Sequence, residues 1–153
     1  MKERTQAMLT ESVLATARKR LVTVMETAPL LEAATLFRAG ADLVVVCGST
    51  GVLAGVVTKT DSVNRISQCQ GGGCVVLTST VMIRDVVSCS AVDRLEDVWS
   101  TMKAHGLENV PRAVDVGRAI GVLNARDALQ VLPQEVRYEE LLLRDDVIGI
   151  GYG

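Results

Sequence analysis

Apolar residues along this chain switch between two periods. Leu30, Ala33, Ala34 and Phe37 fall at i, i+3, i+4 and i+7, the spacing of one helix face, and Leu95, Val98, Trp99 and Met102 repeat it. Thr27 and Asp93 lie upstream as candidate N-cap residues. Short aliphatic runs surround each helical pattern. Leu21-Val22-Thr23-Val24 and Val86-Val87-Ser88-Cys89 precede them, and Leu43-Val44-Val45-Val46 and the stretch Val110 to Val114 follow. A turn then leads to a further strand, through Gly48-Ser49-Thr50-Gly51 in one half and Asp115-Val116-Gly117-Arg118 in the other. A second helix begins near Thr58 and runs through Val63 and Ile66. Each half therefore predicts strand, helix, strand, turn, strand, helix, an α/β (α+β) pattern.

The two halves are copies of one unit. Gly55-Val56-Val57-Thr58-Lys59-Thr60-Asp61 returns 66 positions later as Gly121-Val122-Leu123-Asn124-Ala125-Arg126-Asp127, and Thr23 and Ser88 are separated by 65. The small polar residue sits where a strand passes into a helix, with an aspartate three positions on. One reading is a capping box with Asp in place of Glu or Gln, which serves the helix alone. The other is an anion or ribose site, because a helix N-terminus offers free backbone N–H groups. The duplication, each copy following a glycine that permits close backbone approach, favours a ligand site.

These two heptapeptides, with Val81-Met82-Ile83-Arg84-Asp85-Val86-Val87 ahead of the second unit, resemble the cystathionine β-synthase (CBS) domain family. The resemblance runs from about Lys19 to Leu132 and has the form of a stand-alone CBS pair. It implies two motifs, each a small three-stranded sheet with two helices, packed as a pseudo-two-fold pair. The implied segments are an N-terminal helix over 1–20, motif 1 over 21–69, a Gly-rich linker over 70–80, motif 2 over 81–132 and a C-terminal helix and tail over 133–153. The clefts between such motifs take adenosine-containing ligands: AMP, ADP, ATP or S-adenosylmethionine. Carried over by position, Thr58 and Asp61 would meet phosphate and ribose, and Lys59 would neutralise phosphate. An ionised carboxylate only accepts, which suits two ribose hydroxyls. In the second unit Asp127 matches, Arg126 offers a planar cationic fork, and Asn124 departs from the usual Ser/Thr. Thr23 and Ser88 match positions whose neighbours line the adenine pocket. The resemblance also implies a homodimer and a regulated partner protein that the sequence does not identify.

Composition narrows the function classes. The chain has 153 residues, 48% hydrophobic, 22% charged and only 3% aromatic, so Val, Leu, Ile and Ala must build the core of one globular unit. A net charge of −2 and few aromatics argue against nucleic acid. The run Arg18-Lys19-Arg20 reads as a solvated helix end. No apolar stretch approaches the ~20 residues of a membrane span, and no secretory signal follows Met1, so the expected location is the cytoplasm.

No metal site or catalytic group is expected. Cys47, Cys69, Cys74 and Cys89 are spaced by 22, 5 and 15, which fits no C-x-x-C pattern. Cys47 and Cys89 read as small hydrophobes. Cys69 and Cys74 flank Gly71-Gly72-Gly73, where two free thiols are favoured over a reversible disulfide. His105, the one histidine, reads as a last-turn residue beside backbone carbonyls. Glu139-Glu140 and Asp145-Asp146 are helix neighbours pointing apart by about 100°, which makes neither pair a dyad. Thr5 to Arg20 predicts an amphipathic helix, and Tyr138 with Leu141-Leu142-Leu143 a short one after Pro133. The expected function is a non-catalytic adenosyl-ligand sensor. Two alternatives stand beside it: an interaction or dimerisation module with a vestigial cleft, and a thiol redox sensor.

Overall fold

The structure is a computed structural model, described here for residues 13–69, 75–114 and 117–132. Helix α1 (Leu14–Arg20) leads into β1 (Thr23–Met25), α2 (Leu30–Arg38), β2 (Leu43–Cys47), β3 (Leu53–Thr58) and α3 (Lys59–Ser67). A 3₁₀ turn at Thr78–Thr80 precedes α4 (Leu95–His105), β4 (Asn109–Ala113), β5 (Ala119–Asn124) and α5 (Ala125–Val131). The first sheet has the order β1-β2-β3, with β1 parallel to β2 and β3 returning antiparallel. The second pairs β4 with β5 in the same antiparallel register, Asn109 opposite Asn124 as Leu43 is opposite Thr58.

The aliphatic run of β2 is continuous because both its faces are covered. Val44 and Val46 pack with Leu30, Ala33 and Phe37 in the core of the first unit, and Leu43 and Val45 turn the other way, to Val56 and Val122. That second cluster joins the two sheets. The second unit has its own core, where the α4 face (Leu95, Val98, Trp99, Met102) meets Val110 and Leu123. Burying each such Leu or Val side chain contributes about 1.5–3 kcal/mol. The hairpin tips also meet: Val52 bridges Arg118, and Leu53 N–H donates to the Gly117 carbonyl at 2.8 Å.

The second unit is not a full copy. Its expected first strand, over Val86 to Cys89, survives as a single parallel bridge from Cys89 to Arg112. Cys89 N–H donates to the Pro111 carbonyl at 3.0 Å and Ala113 N–H to Cys89 at 2.9 Å. The chain then turns, because the Asp93 carboxylate accepts from Ser90 N–H at 2.8 Å. Asp93 is thus spent on that turn, and α4 starts after Arg94 with no side-chain cap. Thr27 caps nothing either, since Pro29, at φ −64° and ψ 146°, directs the chain into α2. Arg112 occupies the position of Val46 one repeat later and is buried, with Nε and Nη1 unpartnered among the described residues.

The repeated glycines are explained by the chain itself. A Cβ on Gly55 would stand 2.6 Å from the Ile83 carbonyl oxygen, because the segment leading into the second unit crosses β3 there. Ile83 N–H donates to the Val56 carbonyl at 2.7 Å, and Val56 N–H donates back at 3.0 Å. A Cβ on Gly121 would stand 3.0 Å from Ala17 of α1, which leads into the first unit. Each lead-in therefore crosses to the other unit, and the close approach at these glycines is made by backbone. The part of the expected N-terminal helix before residue 13, the residues 70–74 of the linker and the expected C-terminal helix lie outside the described residues.

Candidate functional site

The crossing of lead-ins makes a composite cleft of about 450 Å³ between the units. One wall is the β3–α3 junction, Thr58-Lys59-Thr60, with Val56. The second lead-in contributes Ile83, bridged directly to Val56, and Asp85-Val86-Val87. Gly106, Leu107, Glu108, Asn109 and Pro111 close one end, and Asp42 and Leu43 complete the lining. Thr58 has extended backbone (φ −93°, ψ 159°), and its hydroxyl oxygen accepts the Asp61 N–H at 3.1 Å. That is an N-cap, and it leaves the hydroxyl hydrogen free to donate outward. The N–H groups of the first α3 turn have no intrahelical partner. Asp61, half-buried in that turn, makes no ion pair with any described residue and does not itself line the cleft. Among the charged side chains of the lining, Asp42, Asp85 and Glu108 outnumber Lys59.

The second copy of the motif is arranged differently. Asn124 is buried and caps α5, its Oδ1 accepting the Arg126 N–H at 2.8 Å, while its Nδ2 donates to Asn109 Oδ1 at 2.8 Å. Arg126 is exposed. Asp127 accepts a two-pronged bond from Arg20 at the end of α1, at 2.5 Å from Nε and 3.1 Å from Nη2. Arg20 Nη1 also reaches Asp42 at 2.8 Å. Arg20 is therefore no solvated helix end: its side chain is 27% exposed and that of Asp127 13%. The bond to Asp127 raises the guanidinium further above its ordinary value, against an opposing effect of burial. Arg18 and Lys19 remain exposed.

Thr58 and Lys59 thus come together in the cleft with residues from the other unit, while Asn124, Arg126 and Asp127 lie at the pseudo-equivalent place. Ser88 lines a separate pocket of about 220 Å³ against α4, and Thr23 is an exposed strand residue; Val87, the neighbour of Ser88, lines the cleft. Asp42, Asp85, Leu107 and Glu108 were not expected from the motif. Their signal was positional: they flank the strands at the offsets that pair the repeats.

His105 stands in the last turn of α4, its Nδ1 3.0 Å from the Thr101 carbonyl oxygen. Cys47 and Cys89 carry free thiols, and burial pushes Cys89 up to about 11. Cys69, in contrast, is disulfide-bonded, which corrects the expectation of a free thiol there; Cys74 lies outside the described residues. Composition favoured reduced thiols by analogy with a reducing compartment, an argument that says nothing about local geometry. No helix among the described residues is long and apolar enough to cross a membrane.

Comparison with known proteins agrees with this architecture. The CBS domain profile matches residues 12–61 and again 79–134. The CBS domains of a transcriptional regulator from Streptococcus pneumoniae superpose with a TM-score of 0.69 at 20% identity, over 82% of this chain and 99% of that one. A CBS domain pair crystallised with 5′-methylthioadenosine and S-adenosyl-L-methionine gives 0.69 at 19% identity, over 82% and 96%. The cytosolic domain of the Mg²⁺ channel MgtE in complex with ATP gives 0.63 at 20% identity, over 79% and 52%. No protein of curated function matches the sequence. The chain belongs to the CBS domain family and carries the domain twice, as a pair joined sheet to sheet.

Proposed function

We propose that this chain is a non-catalytic sensor that binds an adenosine-containing ligand in the cleft beside Thr58 and reports it through a change of shape or association. The observation that carries the reading is the composite cleft itself. It joins a capped helix start and its hydroxyl donor in one unit, with Asp61 in the turn behind them, to the apolar Val86, Val87 and Leu107 of the other. In this reading the aliphatic wall takes adenine, Asp61 turns to accept the ribose hydroxyls, and Thr58 and Lys59 meet the 5′ substituent. Similar CBS pairs crystallised with S-adenosylmethionine, 5′-methylthioadenosine or ATP support the ligand class.

The charges of the lining favour some members of that class. With Asp42 paired to Arg20, Asp85 and Glu108 against Lys59 still oppose a triphosphate, while a sulfonium or an uncharged thioether meets no such cost. S-adenosylmethionine should therefore bind about tenfold or more tightly than ATP at low ionic strength, roughly 1.4 kcal/mol. Added salt should narrow that gap, since the carboxylates are exposed. Thermal melting tests both points. A ligand at 100 times its dissociation constant adds about 2.7 kcal/mol of stability. No shift with any adenosyl ligand would leave the cleft vestigial and favour the interaction module.

A homodimer is proposed as the working assembly. Leu31 on α2 and Val63 on α3 are exposed, and an apolar groove of about 440 Å³ lined by Ala34, Phe37 and Ile66 runs between these helices. Symmetric dimers are also the commonest homo-oligomers. Light scattering should give twice the chain mass; a one-chain mass at every concentration, with and without ligand, contradicts it. The disulfide at Cys69 is the one observation favouring the thiol-sensor alternative. Counting free thiols before and after reduction, in the parent and in Cys69→Ser, and melting both forms separates the two. A sensor changes ligand response on reduction, and a structural bond does not.

A further inference from the structure

The two clefts of the pair are related by the repeat, yet one of them already holds a cation of the chain. We propose that Arg20 is the resident occupant of the second cleft, bonded to the carboxylate that would receive a ligand there, so that the module takes one adenosyl ligand per chain. The inference rests on the reading of Asp61 as a ribose acceptor, because Asp127 is its counterpart 66 residues on.

The asymmetry is visible at matched positions. Asp61 makes no ion pair with any described residue, while both oxygens of Asp127 accept from Arg20, at 2.5 and 3.1 Å. The third nitrogen of the same guanidinium reaches Asp42 at 2.8 Å. Arg20, Gly40, Ala41 and Asp42 line a pocket of about 290 Å³, as Gly106, Leu107 and Glu108 line the open cleft. At the offset of 65 that relates Thr23 to Ser88, the residue matching Arg20 is Asp85. An acid there cannot bond Asp61, and a base here bonds Asp127. The charge reversal leaves the first carboxylate without a partner among the described residues and gives the second a partner within the chain.

Ribose cannot displace this partner on equal terms. A forked guanidinium–carboxylate pair is charge-assisted on both sides and is held in register by its planar geometry. Ribose hydroxyls are neutral donors, so their bonds to the carboxylate are assisted by one charge only and lack the attraction of an ion pair. Asn124 adds to the difference, because its amide is already committed to Asn109 and to the Arg126 N–H.

The test is stoichiometry, with S-adenosylmethionine and, separately, AMP as probes in calorimetric titrations of the full chain. The parent should show one site per chain. Arg20→Met keeps the aliphatic stem and removes the fork, and it should add a second, weaker site while the first, whose lining residue Asp42 also loses its partner, is retained. Arg20→Gln serves in its place if the methionine variant does not fold. Two sites in the parent, or one site in parent and variant alike, overturns the proposal. If neither probe binds either protein, the reading of the first cleft fails, and melting temperatures decide this proposal alone. A resident pair predicts that Arg20→Met combined with Asp127→Asn melts no lower than the worse single variant. Losses that add overturn it.

Discussion

Gly55→Ala should destabilise the pair by about 1–3 kcal/mol, the range for overpacking a closed site. The added methyl would stand 2.6 Å from the Ile83 carbonyl oxygen and 3.0 Å from Met82 Sδ. The methionine can move aside, but the carbonyl belongs to backbone that is itself bonded to Val56 in both directions. Relief requires the second lead-in to lift from β3, which also displaces Ile83, Asp85 and Val86 from the cleft wall. Ligand affinity should fall together with stability. Gly121→Ala is the milder comparison, because its nearest contact is 3.0 Å, to Ala17 of α1. Denaturant midpoints should rank Gly55→Ala below Gly121→Ala, and both below the parent. A Gly55→Ala variant as stable as the parent would mean that the crossing of lead-ins is wrong.

Asp61→Ala should weaken adenosyl-ligand binding by roughly 10- to 150-fold, the loss expected for hydrogen bonds to a charged acceptor, about 1.5–3 kcal/mol. Asp61 also places a negative charge in the first turn of α3, so folding stability should drop by ~0.3–1 kcal/mol. Titration at a temperature where the variant is fully folded separates the two effects. Asp127→Ala should behave in the opposite proportion. It leaves the Arg20 guanidinium without its main partner, which lowers stability, and leaves binding at the first cleft unchanged. Equal binding by Asp61→Ala and the parent would reduce Asp61 to a helix-start charge and move the ligand elsewhere.

Local chemistry made much of this protein legible before its structure. The α2 and α4 faces follow the helical period, β2 is a run of valines buried on both sides, and Thr58 and Asn124 cap their helices as their place after a strand predicts. What escaped depends on contacts between distant residues. Arg20 sits in a basic run at a helix end, which in isolation belongs to solvent, and only the fold brings Asp127 to it across 107 positions. Glu108 and Asp85 enter the cleft because lead-ins and turns cross between units, which a local motif does not encode although their offsets pair them with Asp42 and Arg20. Thr27 and Asp93 had the composition of caps but the wrong distance from the helix start. Arg112 lies within an apolar run and is buried like its neighbours, where sequence patterning expects a charge to reach water.

Where the ligand sits is the most direct test of the account. A crystal structure of the chain at saturating S-adenosylmethionine should show one adenosyl group per chain, between the Thr58–Thr60 turn and the Val86, Val87 and Leu107 wall. Its ribose hydroxyls should lie within hydrogen-bond reach of Asp61, and Arg20 should still be bonded to Asp127. An empty first cleft, or an adenosyl group held beside Asp127 in place of Arg20, would contradict the account.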